Sequence, residues 1–101
     1  MSLKVLWSQQ AIDDLKHIYD WFAEITKSID LAKRIRSKLI QKSKTLTYPQ
    51  QYQVDEVLGN PYRHLIVGHY KIVYREIENR QIIILRIFDT RQNPERHIVE
   101  L

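Results

Sequence analysis

The sequence predicts an α+β domain: an N-terminal strand, then an antiparallel helix hairpin packed on a small, twisted antiparallel sheet. Three observations predict it. Apolar residues recur at helical spacing twice in the first half of the chain, on either side of a short break at Thr26-Lys27. Three apolar runs rich in β-branched and aromatic residues fill Tyr62 to Pro94, punctuated by Gly68-His69 and Glu78-Asn79-Arg80. Helices and hairpin-connected strands are segregated along the chain, which places the helices on one face of an antiparallel sheet.

Leu3 to Trp7 alternates weakly and reads as a short strand. Ser8 is a helix N-cap, and Ala11, Leu15, Ile18, Phe22 and Ile25 line one face of the helix that follows. Asp13 and Asp14 sit near its N-terminus, where the helix dipole favours negative charge. Tyr19 and Trp21 flank the stripe and widen it as core. Ser28 caps a second helix with Asp30 just inside. Its apolar stripe is Leu31, Ala32, Ile35, Leu39 and Leu46, and Tyr48-Pro49 ends it, because proline disfavours helix just before it. So short a link makes the pair an antiparallel hairpin. Residues 47–61 are polar and irregular, with a short strand candidate at Gln53–Leu58 and turn chemistry at Gly59-Asn60-Pro61.

In the middle strand Tyr70, Ile72 and Tyr74 share one face, and Lys71, Val73, Arg75 and Ile77 share the other. A buried cation is costly unless paired, so Lys71, Arg75 and Arg86 are expected on a solvent-facing side of the sheet. Asp89 to Arg96 reads as a loop, and His97 to Leu101 alternates as a short edge strand.

At 101 residues the chain is one domain, 1–101. It is long enough to bury roughly two thirds of its unfolded surface without staples. Cysteine is absent, which excludes disulfides and thiol chemistry. No apolar run approaches the ~18 residues needed to span a bilayer, and the N-terminus has no secretory pattern. A cytoplasmic protein without a membrane partner is the expectation. The formal charge is +4, and the whole basic excess lies in residues 1–50. The second helix concentrates it in Lys33, Arg34, Arg36, Lys38, Lys42 and Lys44, with no acidic residue between Asp30 and Asp55. That face suits either a solvated helix surface or a track for phosphates.

Two glycines exclude a phosphate-binding glycine loop. The four histidines lack metal-ligand spacing, and no serine sits in a nucleophile elbow. No cofactor is implied. What remains is a set of cations around the sheet, able to bind phosphate by charge-assisted hydrogen bonds. A metal-free ribonuclease needs a base for the ribose 2′-OH, cations for the phosphorane and an acid for the leaving oxygen. Arg63, Lys71, Arg86 and Arg91 are candidate cations; His64, His69 and His97 are candidates for proton transfer. Taken singly, each reads first as an ordinary residue: an arginine snorkelling over apolar neighbours, a histidine exposed on a strand or turn.

The chain resembles the RelE/ParE superfamily of toxins from bacterial type II toxin–antitoxin systems, also described as plasmid-stabilisation proteins. Trp7-Ser8 through Ala11, with Asp14-Leu15 and Ile18, is similar to the family's opening strand and helix. Tyr62-Arg63 and Val67-Gly68-His69-Tyr70-Lys71-Ile72-Val73-Tyr74-Arg75 resemble its most recognisable strand pair. Ile84 to Pro94, ending Asp89-Thr90-Arg91-Gln92-Asn93-Pro94, resembles the strand and loop that follow.

The resemblance implies a toxin that arrests growth and is neutralised by a cognate antitoxin wrapping it with a helix or extended segment. It implies one of two targets: mRNA in the ribosomal A site for RelE-like members, DNA gyrase for ParE-like members. Carried over by position, the ribonuclease set is Arg63, Lys71, Arg91 and His97. Lys71 stands where an arginine is typical, and no tyrosine follows Arg91, so the proton-transfer set is incomplete and the ParE-like branch is favoured. Arg75, Arg86, Lys33, Arg34 and Lys38 are the candidate contacts to nucleic acid or partner protein. An apolar groove beside the hairpin, bordered by the cations of residues 33–44, suits an acidic amphipathic partner segment. A non-toxic protein-binding module of the same fold is the further alternative.

Overall fold

Two serines start the two helices. In the computed structural model, which describes residues 3–78 and 80–91, Ser8 precedes helix α1 (Gln9–Thr26) and Ser28 precedes helix α2 (Ile29–Ser43). Each serine Oγ accepts from the backbone N–H three residues on, Ala11 at 3.0 Å and Leu31 at 3.1 Å. Both bonds satisfy a donor that the first helical turn leaves open. Between the helices Lys27 adopts the left-handed conformation, φ 56°. Thr26 Oγ1 there donates to Phe22 O and accepts from Ser28 N. The link folds α2 back along α1: Tyr19 and Arg36, equally far from it in sequence, meet with the guanidinium 4.7 Å from the ring centre.

Strands β1 (Lys4–Trp7), β2 (Arg63–Val67), β3 (Tyr70–Glu78) and β4 (Gln81–Asp89) form one sheet in the order β1-β4-β3-β2. β2 and β3 are joined by Gly68-His69, with Gly68 at φ +59°, a region glycine enters without strain. β2–β3 and β3–β4 are antiparallel, as expected. β1 runs parallel to β4, so the expected antiparallel sheet is mixed at one edge. A parallel neighbour requires a long crossover, and here everything from α1 to β3 supplies it.

The core lies between the hairpin and one face of the sheet. Ala11, Leu39 and Leu46 meet Leu65, Val67, Tyr70, Ile72, Tyr74, Ile82, Ile84 and Ile87, with Leu15, Ile18, Phe22 and Ile35 packed against them. Tyr70, Ile72 and Tyr74 therefore share the face that strand alternation predicts. Ile25 and Trp21 do not join this core and are exposed. The second helix stops at Ser43, short of Tyr48. Its end tightens, with Thr45 N and Leu46 N bonding three residues back to Lys42 O and Ser43 O. The Ser43 and Thr45 hydroxyls compete for the Ile40 and Lys42 carbonyls. The strand expected at Gln53–Leu58 reduces to one bridge, Val54 to Arg63. The edge strand expected at His97–Leu101 lies outside the described residues.

β4 carries a bulge where β1 ends. Val73 pairs with Arg86 but Tyr74 pairs with Ile84, leaving Leu85 as the extra residue. The bulge flips the phase of alternation, so Ile82 and Ile84 before it and Ile87 after it all reach the same core. Past β1, helix α1 takes over the edge of β4. Ser8 N donates to Ile84 O at 2.9 Å and Ser8 Oγ to Leu85 O at 2.8 Å. Asp14 Oδ2 accepts from Ile87 N at 2.9 Å. Asp14 thus serves the sheet rather than the helix dipole, and the first turn of α1 holds no acidic residue.

Candidate functional site

Lys71 corrects the expectation of a solvent-facing row of sheet cations. It does point to the face opposite the helices, but that face is covered there. Asp55 N donates to Tyr62 O and His64 N to Gln53 O, which ties the segment before β2 against the head of that strand. Lys71 Nζ lies 2.8 Å from Asp55 Oδ2, with the lysine 3% exposed and the aspartate wholly buried. His64 Nδ1, also buried, meets the same oxygen at 2.8 Å. Asp55 Oδ1 accepts from Val57 N and Leu58 N at 2.9 and 2.8 Å. Burial by itself pushes the Asp55 carboxyl up. The Lys71 hydrogen bond and charge and the two backbone N–H groups outweigh it and hold the carboxyl below its usual value.

Asp55, Glu56 and His64 bring three metal-ligating atoms within 4.8 Å of one another. The Asp55 oxygen they would share already carries the Lys71 ammonium. The protein fills the cation position itself, so this group does not fit a metal ion.

Arg86 is the second sheet cation held in an ion pair, and it is partly exposed. Its Nε and Nη2 donate to the two Asp14 oxygens at 2.8 and 3.1 Å, and its guanidinium lies 4.9 Å from the centre of the Phe88 ring. Arg75 is half-exposed, with Nε donating to Glu76 O at 3.2 Å. Arg63 Nη1 donates to Tyr52 O at 2.7 Å, and the residue lines a polar cleft of about 150 Å³ with Pro49, Asn60 and Glu76.

Arg91 is 54% exposed and chelates Asp89 through Nε and Nη2 at 2.9 and 2.6 Å. The Arg91 hydrogen bond holds the Asp89 carboxyl below its usual value against a smaller effect of burial. The same bond pushes Arg91 up. His97 lies outside the described residues.

The three described positions of the ribonuclease set, Arg63, Lys71 and Arg91, are therefore not brought together. Arg63 pairs across the sheet with Tyr74, whereas Asp89, which holds Arg91, pairs with Tyr70. That separates the two arginines by four residues of β3, about 13 Å along the strand. Lys71 is enclosed behind Asp55. Lys33, Arg34 and Lys38 on α2 are exposed, as expected. A cleft of about 270 Å³ opens between α1 and the end of β4, walled by His17, Trp21, Tyr70, Arg86 and Asp89 among others.

Sequence reasoning missed Asp55 and the sheet role of Asp14. One signal was present. A lysine inside a greasy strand demands either water or a carboxylate, and Asp55 and Glu56 are the nearest acids before β2.

The family model described as the ParE toxin of type II toxin–antitoxin system, parDE, matches residues 5–94. No curated protein matches the chain. Among solved structures, the chromosomal ParDE toxin–antitoxin system from P. aeruginosa superposes with a TM-score of 0.71 at 22% identity, covering 84% of this chain and 92% of that one. A copper-bound mutant toxin from Helicobacter pylori gives a TM-score of 0.44 at 17% identity, over 86% and 93% of the two chains.

Proposed function

We propose a role for this chain from its family membership: it belongs to the ParE toxins of the type II toxin–antitoxin system parDE. It acts as the toxin of such a pair, arrests growth when unopposed, and is neutralised by a cognate antitoxin. Its target is DNA gyrase rather than mRNA on the ribosome.

One observation carries the choice of target. Lys71, the strand cation a ribonuclease would aim at the scissile phosphate, is sealed from solvent by Asp55. Exposing it would leave a buried carboxylate unpaired, a cost of several kcal/mol. Stabilising the phosphorane requires donors preorganised at the reacting atoms, whereas Arg63 and Arg91 are held by separate partners, Tyr52 O and Asp89. Arg91 remains as an exposed guanidinium whose Asp89 partner can exchange for another carboxylate, and it contributes to toxicity by contact with the target.

Inducing the chain in a bacterial host without antitoxin tests both levels. Growth arrest with accumulation of gyrase-linked DNA breaks is the expected result. Cleavage of translated mRNA seen by primer extension, with no such breaks, would transfer the chain to the endonuclease branch. Normal growth would remove the toxin reading and leave a binding module.

A further inference from the structure

Arg91 is exposed and yet held in place. Thr90, the residue before it, bonds twice to one acceptor: its N–H and its hydroxyl both donate to His69 O, at 2.7 and 2.9 Å. Arg91 N donates to Asp89 Oδ1 at 2.9 Å. The Asp89 carboxylate then takes the guanidinium side-on, through Nε and Nη2. Side-on pairing leaves the end-on edge, one N–H from each Nη, and no described residue accepts from it. Parallel donors therefore face solvent in a fixed plane. They stand at the tip where the β2–β3 turn and the end of β4 lie side by side, a width of about 10 Å for adjoining strands. Lys38 borders the same turn, lining one cavity with Gly68 and His69.

We propose that Arg91 reads guanine in duplex DNA and that Asp89 is its positioning residue. The end-on edge donates to guanine O6 and N7, which offer a pair of neutral acceptors in one plane of the major groove. That groove is about 12 Å wide and admits the tip. Lys38 meets a phosphate at its rim. For Arg91 itself a phosphate is the poorer partner. Asp89 already cancels the guanidinium charge, so most of the Coulombic gain is gone, and the carboxylate repels a second anion. Directional bonds to an uncharged acceptor pair lose far less by that cancellation. Locking the plane in advance also lowers the entropic cost of binding. That the duplex is the one gyrase holds rests on the gyrase reading; guanine recognition does not.

The test is a fluorescence anisotropy titration of the full chain against labelled duplexes. One carries a run of guanines. In the second those guanines are 7-deazaguanine, which has C–H in place of N7. The third holds A·T pairs only. The guanine duplex is expected to bind about tenfold tighter than either of the others. Arg91→Lys keeps the charge and loses the planar fork, so the affinities converge. Asp89→Asn releases a full positive charge from its fixed plane. The guanine preference then falls to within about twofold, while binding to the A·T duplex holds or rises and depends more steeply on salt. A merely structural role for Asp89 would weaken every duplex together. Lys38→Glu weakens all of them alike, because a phosphate contact carries no sequence information. Circular dichroism confirms that these exposed-site variants fold. Equal affinity for the guanine and 7-deazaguanine duplexes, a preference that survives Asp89→Asn, or no binding of any duplex at millimolar protein would each overturn the proposal. Gyrase-linked breaks in the induced host are scored separately. Breaks without a guanine preference sink the proposal and leave the gyrase reading standing; a guanine preference without breaks does the reverse.

Discussion

Lys71 Nζ and Asp55 Oδ2 lie 2.8 Å apart where neither side chain reaches water. Removing two charges from solvent is costly, and their attraction offsets the cost only with good geometry and further hydrogen bonds. Asp55 has them from His64, Val57 and Leu58. The pair therefore fastens the segment before β2 to the start of β3, and a strand lysine that alternation would place in water becomes part of the interior.

Breaking that pair should be severe. Lys71→Met leaves the Asp55 charge buried without its cation, and a loss of about 3 kcal/mol or more is expected in urea unfolding. Adding Asp55→Asn should recover part of it, with a coupling of at least about 1 kcal/mol in the double-mutant cycle. Strictly additive losses would mean the two groups do not depend on each other.

Acid should release the same contact. The folded Asp55 carboxyl titrates below its unfolded value of about 3.9, so its contribution is complete above that pH and is lost as pH falls through the folded value. Asp89 is shifted in the same direction by Arg91 and adds to the effect. Stability measured between about pH 7 and pH 2 should stay level with respect to these groups down to about pH 5 and then decline. In Lys71→Met the Asp55 part of that decline should shrink. An unchanged acid slope in the variant would contradict the assignment.

Asp14 joins a helix to a strand edge. Asp14→Ala removes both hydrogen bonds to Arg86 and the acceptor for Ile87 N–H, and a loss of about 1–3 kcal/mol is expected. Asp14→Asn keeps one oxygen for the amide and should be milder. Hydrogen exchange at Ile87 reads this directly: protection should fall in the alanine variant and largely survive in the asparagine one. Unaltered protection in Asp14→Ala would show that the edge is sealed by something else.

Arg91 bears on function more than on folding. Its guanidinium is exposed and bonded to Asp89. Arg91→Ala should lower the melting midpoint only slightly, by no more than one exposed ion pair contributes, and lose most of the growth arrest. Full arrest with the variant would remove Arg91 from the site.

Much of the scaffold was legible from residue order. Ser8 and Ser28 as caps, the Ala11-Leu15-Ile18-Phe22 stripe and the shared face of Tyr70, Ile72 and Tyr74 are all present as expected. These are local signals: a cap acts over three residues and a stripe over one element. The end of α2 was misplaced because the Ser43 and Thr45 hydroxyls compete for helix carbonyls before Pro49 is reached. The parallel pairing of β1 was not legible, since nothing in four residues of strand states which edge they will join.

What the sequence by itself determined, then, is which segments become helix or strand and which of their faces are apolar, because periodicity and capping are properties of neighbours in the chain. What only the tertiary structure decided is the fate of the charges. Arg86 finds Asp14 across 72 residues, and Lys71 finds Asp55 through a loop with no regular structure to announce it. A side chain's charge is silent about its partner until folding sets the distance between them, and that distance decides whether a cation meets a ligand or holds the interior together.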